Sequence, residues 1–495
     1  MNNPQENKRS HIVPKWLEYP KAIQTADLVI PRETPFEIND ETKKSVQNDL
    51  DEFQAAPTPE LACRLMGAGI ILGDHQLSDD MAKFVFNKGG VDDLSIKLAE
   101  NILNSGDKIE ELLEVDIRIS KLRKWVSEYP RSAIGWIELS RAFTIKGQTE
   151  KAKRAATTAI QLAPYDRYIV RCAVRLFLHT GDFDLARYYI ERASKYKFDP
   201  WIKATEVNVA LISKQKTPNI KKYIPQNLAY DELFHYSELL ESAGFLELDS
   251  GNDRKARKQF RLAWKNPSDN VITHAEWILR NRLPGMADSH TLKFDRSLEA
   301  TTWINYVELK ISKALEAARE WELEEPYSKY PYIVGSSIAS NSDQPKLGAE
   351  IAKRGLLVNP NSISIYNNLC YALLRAGDVT EAGKYINKLR IKDGTDQDLF
   401  CQATLGLYAF RTKNVTAGRE AYLAVINQFK KKSEPDLQAQ ALLNLALSEL
   451  DAATTDSREI AVNSLEMTEK MKTPAIIILR KLLESKLNIL QSKTQ

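Results

Sequence analysis

From about Glu60 onward, apolar residues recur at spacings of three and four almost without pause, and no long alternating Val/Ile/Thr run intervenes. That is the period of helices burying one stripe, so the pattern predicts an all-α chain. Ahead of it the pattern is different. Seven of the 20 prolines fall before residue 60, at positions 4, 14, 20, 31, 35, 57 and 59, and proline disfavours helix at itself and at its predecessor. Residues 1–57 therefore read as an extended, proline-rich N-terminal arm. One short amphipathic helix interrupts it over roughly Glu41 to Phe53, where Val46, Leu50 and Phe53 share a face. Two later stretches lose the period and read as hinges or insertions: Ser213 to Asn227, with Pro218 and Pro225, and Asn281 to Arg296, with Pro284 and Gly285.

Within the helical part the chain repeats itself. Phe143 and Phe177, Gly147 and Gly181, Ala152 and Ala186, and Ala159 and Ala193 are each 34 residues apart. The clearest unit, 133–166, carries Trp136, Leu139, Ser140, Phe143, Gly147, Ala152, Ala156, Ala159 and Pro164. Small residues at Ser140, Ala152 and Ala159 let two helices approach closely, and Trp136 and Phe143 fill the space beside them. Gly147 permits the turn and Pro164 ends the second helix. The next unit, 167–200, keeps Phe177, Gly181, Ala186 and Ala193 but has Val170 and Ala173 in place of the aromatic and the leucine. A third, 237–270, has Ala243, Gly244, Gly251, Ala256, Phe260 and Ala263. Two more, 329–362 and 363–396, are placed by Tyr332, Gly348, Ala352 and Pro360, then by Tyr366, Leu369, Gly377 and Ala382. Weaker hairpins fit 60–130, 398–430 and 435–471, and Ala475 to Leu490 fits a final capping helix with Thr473 as N-cap and Pro474 at its first position.

These positions resemble the tetratricopeptide repeat (TPR) family, with Ser140 standing for the usual glycine and Ala156 for the usual phenylalanine. The resemblance implies a right-handed superhelix of stacked α-hairpins, a TPR-like solenoid in which each first helix lines a concave groove. It divides the chain into the arm (1–57), N-terminal repeats (58–212), an interrupted middle (213–297) and C-terminal repeats with a capping helix (298–495). It also implies a non-enzymatic scaffold or adaptor whose groove takes an extended peptide or protein segment.

On that frame two patches become candidate binding residues. Arg141 in the first clear unit is matched by Arg175 in the second, and Arg171, Arg175 and His179 lie four apart on one helix face. Guanidinium groups bind carboxylates in two-pronged fashion, which suits an acidic peptide. The plainer alternative is a solvated face partnered by Glu138 or Asp184. The second patch is Asn367, Asn368 and Tyr371; an inner asparagine can bond both the N–H and the C=O of an extended chain. Against this, Asn368 can serve as a structural bond between hairpins and Tyr371 as core. In the arm, Trp16, Leu17 and Tyr19 are expected anchors, either as a second docking site or as an internal occupant of the groove.

Composition adjusts this picture modestly. The 495 residues with 43% apolar content exceed one compact core, which favours a stack. Lys plus Arg at 69 against Asp plus Glu at 66 leaves +3, too balanced for charge alone to imply nucleic acid or a membrane. Basic clusters at Lys151 to Arg154, Arg254 to Lys265 and Lys430 to Lys432 keep a nucleic-acid-binding helical repeat as the rival, with Lys255, Lys258 and Arg261 as its contacts. A third alternative is a regulatory partner of a separately encoded effector enzyme. Cys63, Cys172, Cys370 and Cys401 lie far apart, with neither zinc nor disulfide-framework spacing, and the polar start has no apolar run behind it. Those features suit a cytoplasmic protein. The common phosphate-loop, zinc-protease and nucleophile-elbow motifs are missing and the six histidines are scattered, so no catalytic residue, cofactor or metal is expected. Residues 74–80, DHQLSDD, read as helix caps at a hairpin junction.

Overall fold

The structure, a computed structural model, describes residues 13–17, 40–72, 75–91, 95–96, 99, 112–196, 198–283, 285–286, 292–294, 297–389 and 396–494. Among them it holds 23 α-helices and no strand. By their contacts the residues fall into two compact units, one over 11–143 and 149–271, the other over 272–495 with 144–148.

The N-terminal unit contains α1 (Asp40–Ala55), α2 (Pro59–Leu72), α3 (His75–Lys88), α4 (Leu112–Glu128), α5 (Ala133–Ile145), α6 (Thr149–Leu162), α7 (Arg167–Thr180), α8 (Phe183–Tyr196), α9 (Pro200–Ile212), α10 (Tyr230–Asp249) and α11 (Asp253–Ala263). The helix expected in the arm is α1, and its Val46, Leu50 and Phe53 pack on a core of Leu65, Met66, Ala82 and Val85 from α2 and α3. Segment 74–80 straddles the start of α3, so the cap expected of it rests on Asp74. Helix α3 begins at His75, so Ser78, Asp79 and Asp80 lie inside its first turns, with Gln76 Nε2 donating to Asp80 at 2.9 Å. Asp74 lies outside the described residues.

Several repeat positions are deeply buried, whereas Trp136 is half-buried, its indole donating to the Pro130 carbonyl at 2.9 Å. Ala152, Ala156 and Ala159 are fully buried, and Ser140 Oγ donates to the Ala152 carbonyl at 2.8 Å, which needs two backbones in near contact. Phe177, Ala186, Ala256, Phe260 and Ala263 are equally buried. Gly181 ends α7 in the left-handed region at φ 80°, where a glycine has no Cβ penalty, and Asp166 opens that helix by accepting from Ile169 N. Between α9 and α10 the expected break is irregular save for a 3-10 turn at Lys221–Tyr223, whose Tyr223 ring stacks on Phe198 at 5.2 Å.

Helix α12 (Asp269–Asn281) contains the division between the units. The C-terminal unit continues through α13 (Leu298–Val307), α14 (Ile311–Glu324), α15 (Tyr330–Asn341), α16 (Pro345–Val358), α17 (Ile363–Arg375), α18 (Val379–Tyr385), α19 (Asp396–Arg411), α20 (Val415–Lys431), α21 (Pro435–Asp451), α22 (Ser457–Met467) and α23 (Pro474–Thr494). Of the expected break at 281–296, residues 284, 287–291 and 295–296 lie outside the described residues. One continuous core joins α15 to α21 through Tyr332, Leu369, Ala382, Phe400, Tyr422 and Phe429. Helix α23 closes this unit with Ile476, Leu479, Leu483 and Leu487 against α21 and α22, while Ile478 reaches the cluster of Trp303, Val334 and Ile338. It starts at Pro474 as expected, but the Thr473 side chain does not cap it. The Thr473 main-chain carbonyl instead accepts from Ile477 N, and its hydroxyl finds no partner among the described residues.

Polar bonds between hairpins follow the repeat spacing. Arg167 reaches Asp199, Asn208 reaches Ser242, Asn368 reaches Ser336 and Arg354 reaches Glu322, across 32 to 34 residues of chain. Each ties one hairpin to the next, so stability is shared between neighbours.

Candidate peptide-binding face

Helix α5 presents Glu138 and Arg141, three residues apart and so on one side of the helix, and α7 presents Tyr168 from its first turn. Asp166 caps α7 at that turn and fixes where Tyr168 stands. From α4, Arg118 Nη2 donates to Glu138 Oε2 at 2.5 Å. The four side chains form one polar patch with little exposure: 6% for Glu138, 3% for Arg141 and 6% for Tyr168.

Residues 13–17, Val-Pro-Lys-Trp-Leu, belong to no helix or strand and lie on this patch. Arg141 Nε donates to the Trp16 carbonyl at 3.2 Å, and the Tyr168 hydroxyl lies 3.0 Å from the Leu17 carbonyl. Trp16 is wholly buried and Leu17 is 5% exposed. The same hydroxyl lies 2.8 Å from Glu138 Oε1. Tyrosine has one hydroxyl hydrogen, so it serves the carboxylate and the carbonyl in alternation. Burial, and then the charge of Glu138, push the Tyr168 hydroxyl well above the ordinary phenol range, which keeps that hydrogen in place. The grip is therefore on main-chain oxygens, with the tryptophan and leucine side chains carried into the interior. Tyr19 lies outside the described residues.

The other residues singled out from sequence take different places. Arg171 turns to the neighbouring hairpins: its guanidinium donates to both oxygens of Glu238 on α10, at 2.8 and 3.2 Å, and lies 4.9 Å from the Trp201 ring centroid. Glu238, fully buried, also accepts from Asn270 Nδ2 at 2.8 Å. Arg175 is 6% exposed and His179 is half-buried in the last turn of α7. Arg171 is therefore tied to an internal acid 67 residues away.

In the C-terminal unit, Asn367 and Asn368 are buried on α17. Asn368 Nδ2 donates to the Ile333 carbonyl and to Ser336 Oγ, both at 2.9 Å, joining α17 to α15. The Tyr371 hydroxyl donates to Asn444 Oδ1 on α21 at 2.8 Å and accepts from Arg375 Nη1 at 3.1 Å.

Comparison with family models gives no match, and comparison with curated proteins gives none. Solved structures that this chain is similar to include yeast Tom70, at 12% identity and TM-score 0.31 over 88% of this chain and 96% of that one. Another is the APC/C hetero-tetramer Cut9-Hcn1, at 13% and 0.34 over 91% and 94%. A third is Naa15/Naa10 bound to HypK-THB, at 11% and 0.24 over 88% and 94%. Likenesses this distant decide nothing about a ligand, and the chain's own geometry must carry the function.

Sequence reasoning missed Tyr168 and Glu238. A signal for Tyr168 was present, since it lies three and seven residues before Arg171 and Arg175 and so shares their stripe. For Glu238 there was none. On α11, Arg254, Lys255, Lys258 and Arg261 are exposed, but the aromatics interleaved with them, Phe260 and Trp264, are buried at 0% and 6%. That basic row offers no ring for a base to stack on.

Proposed function

We propose that this chain is a non-enzymatic, cytoplasmic protein-interaction scaffold whose helical hairpins hold an extended segment of a protein partner by its main chain. The observation that carries the reading is the hold of Arg141 and Tyr168 on the carbonyls of Trp16 and Leu17. An extended chain of any sequence presents such carbonyls, and side-chain pockets beside them supply selectivity. Charge recognition of acidic peptides by the arginine stripe gives way to main-chain recognition, because Glu238 already engages Arg171. Asn368 and Tyr371 act as internal ties in this reading, and Asn367 is buried beside them on α17. The four cysteines are free thiols, which suits a reducing compartment. No described helix is long and apolar enough to cross a membrane.

The test is purification of the full chain from its own cell, followed by mass spectrometry. A stoichiometric protein partner is expected, and its recovery should fall at least about ten-fold with Arg141→Ala plus Tyr168→Phe. If that partner is an enzyme, the scaffold is its regulator. Recovery of nucleic acid instead, lost with Lys255→Glu and Lys258→Glu and weakened steeply by salt, would overturn the scaffold reading.

A further inference from the structure

We infer that the Glu138–Arg141–Tyr168 face takes a partner segment with adjacent Trp and Leu residues, and that residues 13–17 are the resident copy with which that segment competes. The inference rests on the scaffold reading and names the ligand. Three observations lead to it.

The first is the seat itself. A tryptophan with no exposed surface and a leucine at 5% are held beside two carbonyl bonds, with Pro14 buried ahead of them. The carbonyl bonds are indifferent to sequence, so the aromatic and aliphatic pockets must choose the ligand. The second is that the helices beneath carry their own core. Ser140 Oγ bonds the Ala152 carbonyl between α5 and α6, and the Phe177 ring stacks on Tyr189 between α7 and α8 at 5.7 Å, with Ala152, Ala156, Ala159, Ala186 and Ile190 buried on the second helices. Removing the segment uncovers a face and leaves the hairpins whole. The third is Tyr168, whose hydroxyl has two acceptors within 3.0 Å. When the segment leaves, the hydrogen still has Glu138, so vacating the seat strands no buried hydroxyl.

Competition follows from tethering. A segment on the same chain meets its seat at an effective concentration on the order of millimolar, so a partner must bind well below that or arrive with further contacts.

The experiment uses the full chain and a fluorescent peptide copying residues 11–20, with fluorescence anisotropy as the readout. The parent should bind the peptide weakly, because its own segment fills the seat. A chain carrying Trp16→Ala and Leu17→Ala should bind at least about ten-fold more tightly. That gain should vanish with Arg141→Ala plus Tyr168→Phe added, or when the peptide's own Trp-Leu pair is changed to Ala-Ala. Should the Trp16/Leu17 variant lose stability, the peptide added in trans should raise its melting temperature. A variant that neither binds the peptide nor melts higher with it overturns the inference. So does a parent chain that dimerises with concentration and is returned to monomer by the peptide, since the occupant is then a second copy's arm. Either result leaves the scaffold reading standing if a protein partner still co-purifies, which separates the two failures.

Discussion

Gly244 has no room for a side chain. A Cβ placed there would lie inside the van der Waals surface of the Phe260 ring, with Cζ at 2.9 Å, and that ring is itself fixed edge-on to Phe245 at 5.4 Å. Helix propensity favours Gly244→Ala by about 1 kcal/mol, whereas overpacking a rigid core costs about 1–3 kcal/mol. Net destabilisation is expected in thermal melts, and Phe260→Leu in the same chain should recover part of it by making space. A second residue-scale outcome concerns Glu241 on α10. Burial, and then the neighbouring Glu238 charge, push its carboxyl well above the ordinary value of 4.5. The unfolded chain releases this proton near 4.5 while the folded chain keeps it. Raising the pH above that point therefore favours unfolding until the folded group ionises too. Glu241→Gln removes the penalty, so its melting temperature should match the parent's near pH 4 and exceed it by a growing margin toward pH 8. A margin independent of pH would refute the assignment.

At the scale of elements, the buried pair between Arg171 on α7 and Glu238 on α10 shows what helix faces alone could not reveal. The spacing of Arg171, Arg175 and His179 placed them on one stripe, but which acid meets Arg171 depends on how α9 and α10 fold back against α7. Removing one partner leaves a buried charge alone. Arg171→Met should destabilise by about 3–5 kcal/mol, and adding Glu238→Leu should recover only part of it, because Asn270 then loses its acceptor. Chemical denaturation of the two variants checks both. Arg171→Glu sets two carboxylates together in the interior, so loss of a partner after that change reports unfolding rather than a lost contact. Arg141→Ala with Tyr168→Phe is the sounder probe of binding, because both groups bond carbonyls of the segment. The hairpins themselves were legible: Ser140 against Ala152 and Gly244 against Phe260 are contacts that small residues announce at a fixed offset.

For the whole molecule, division into two compact units predicts unfolding that is not all-or-none. Calorimetry should give a total enthalpy larger than the van 't Hoff value, or two resolved transitions. Phe429→Ala, in the fully buried core of the C-terminal unit, should cost about 3–5 kcal/mol and lower one transition while leaving the other near its place. A single transition shifted as a whole would refute independent units. The sequence by itself determined that helices form, that they pair in hairpins near a 34-residue period, and that small residues such as Ser140, Ala152 and Gly244 stand where helices touch. These are local consequences of helical spacing and side-chain volume, written within one repeat. Only the tertiary structure decided that Trp16 meets Arg141 across 125 residues, Tyr371 meets Asn444 across 73 and Arg171 meets Glu238 across 67. A polar group in the interior must find a partner, but its identity is set by the small rotation added at each hairpin, and that sum is written in no single stretch of chain.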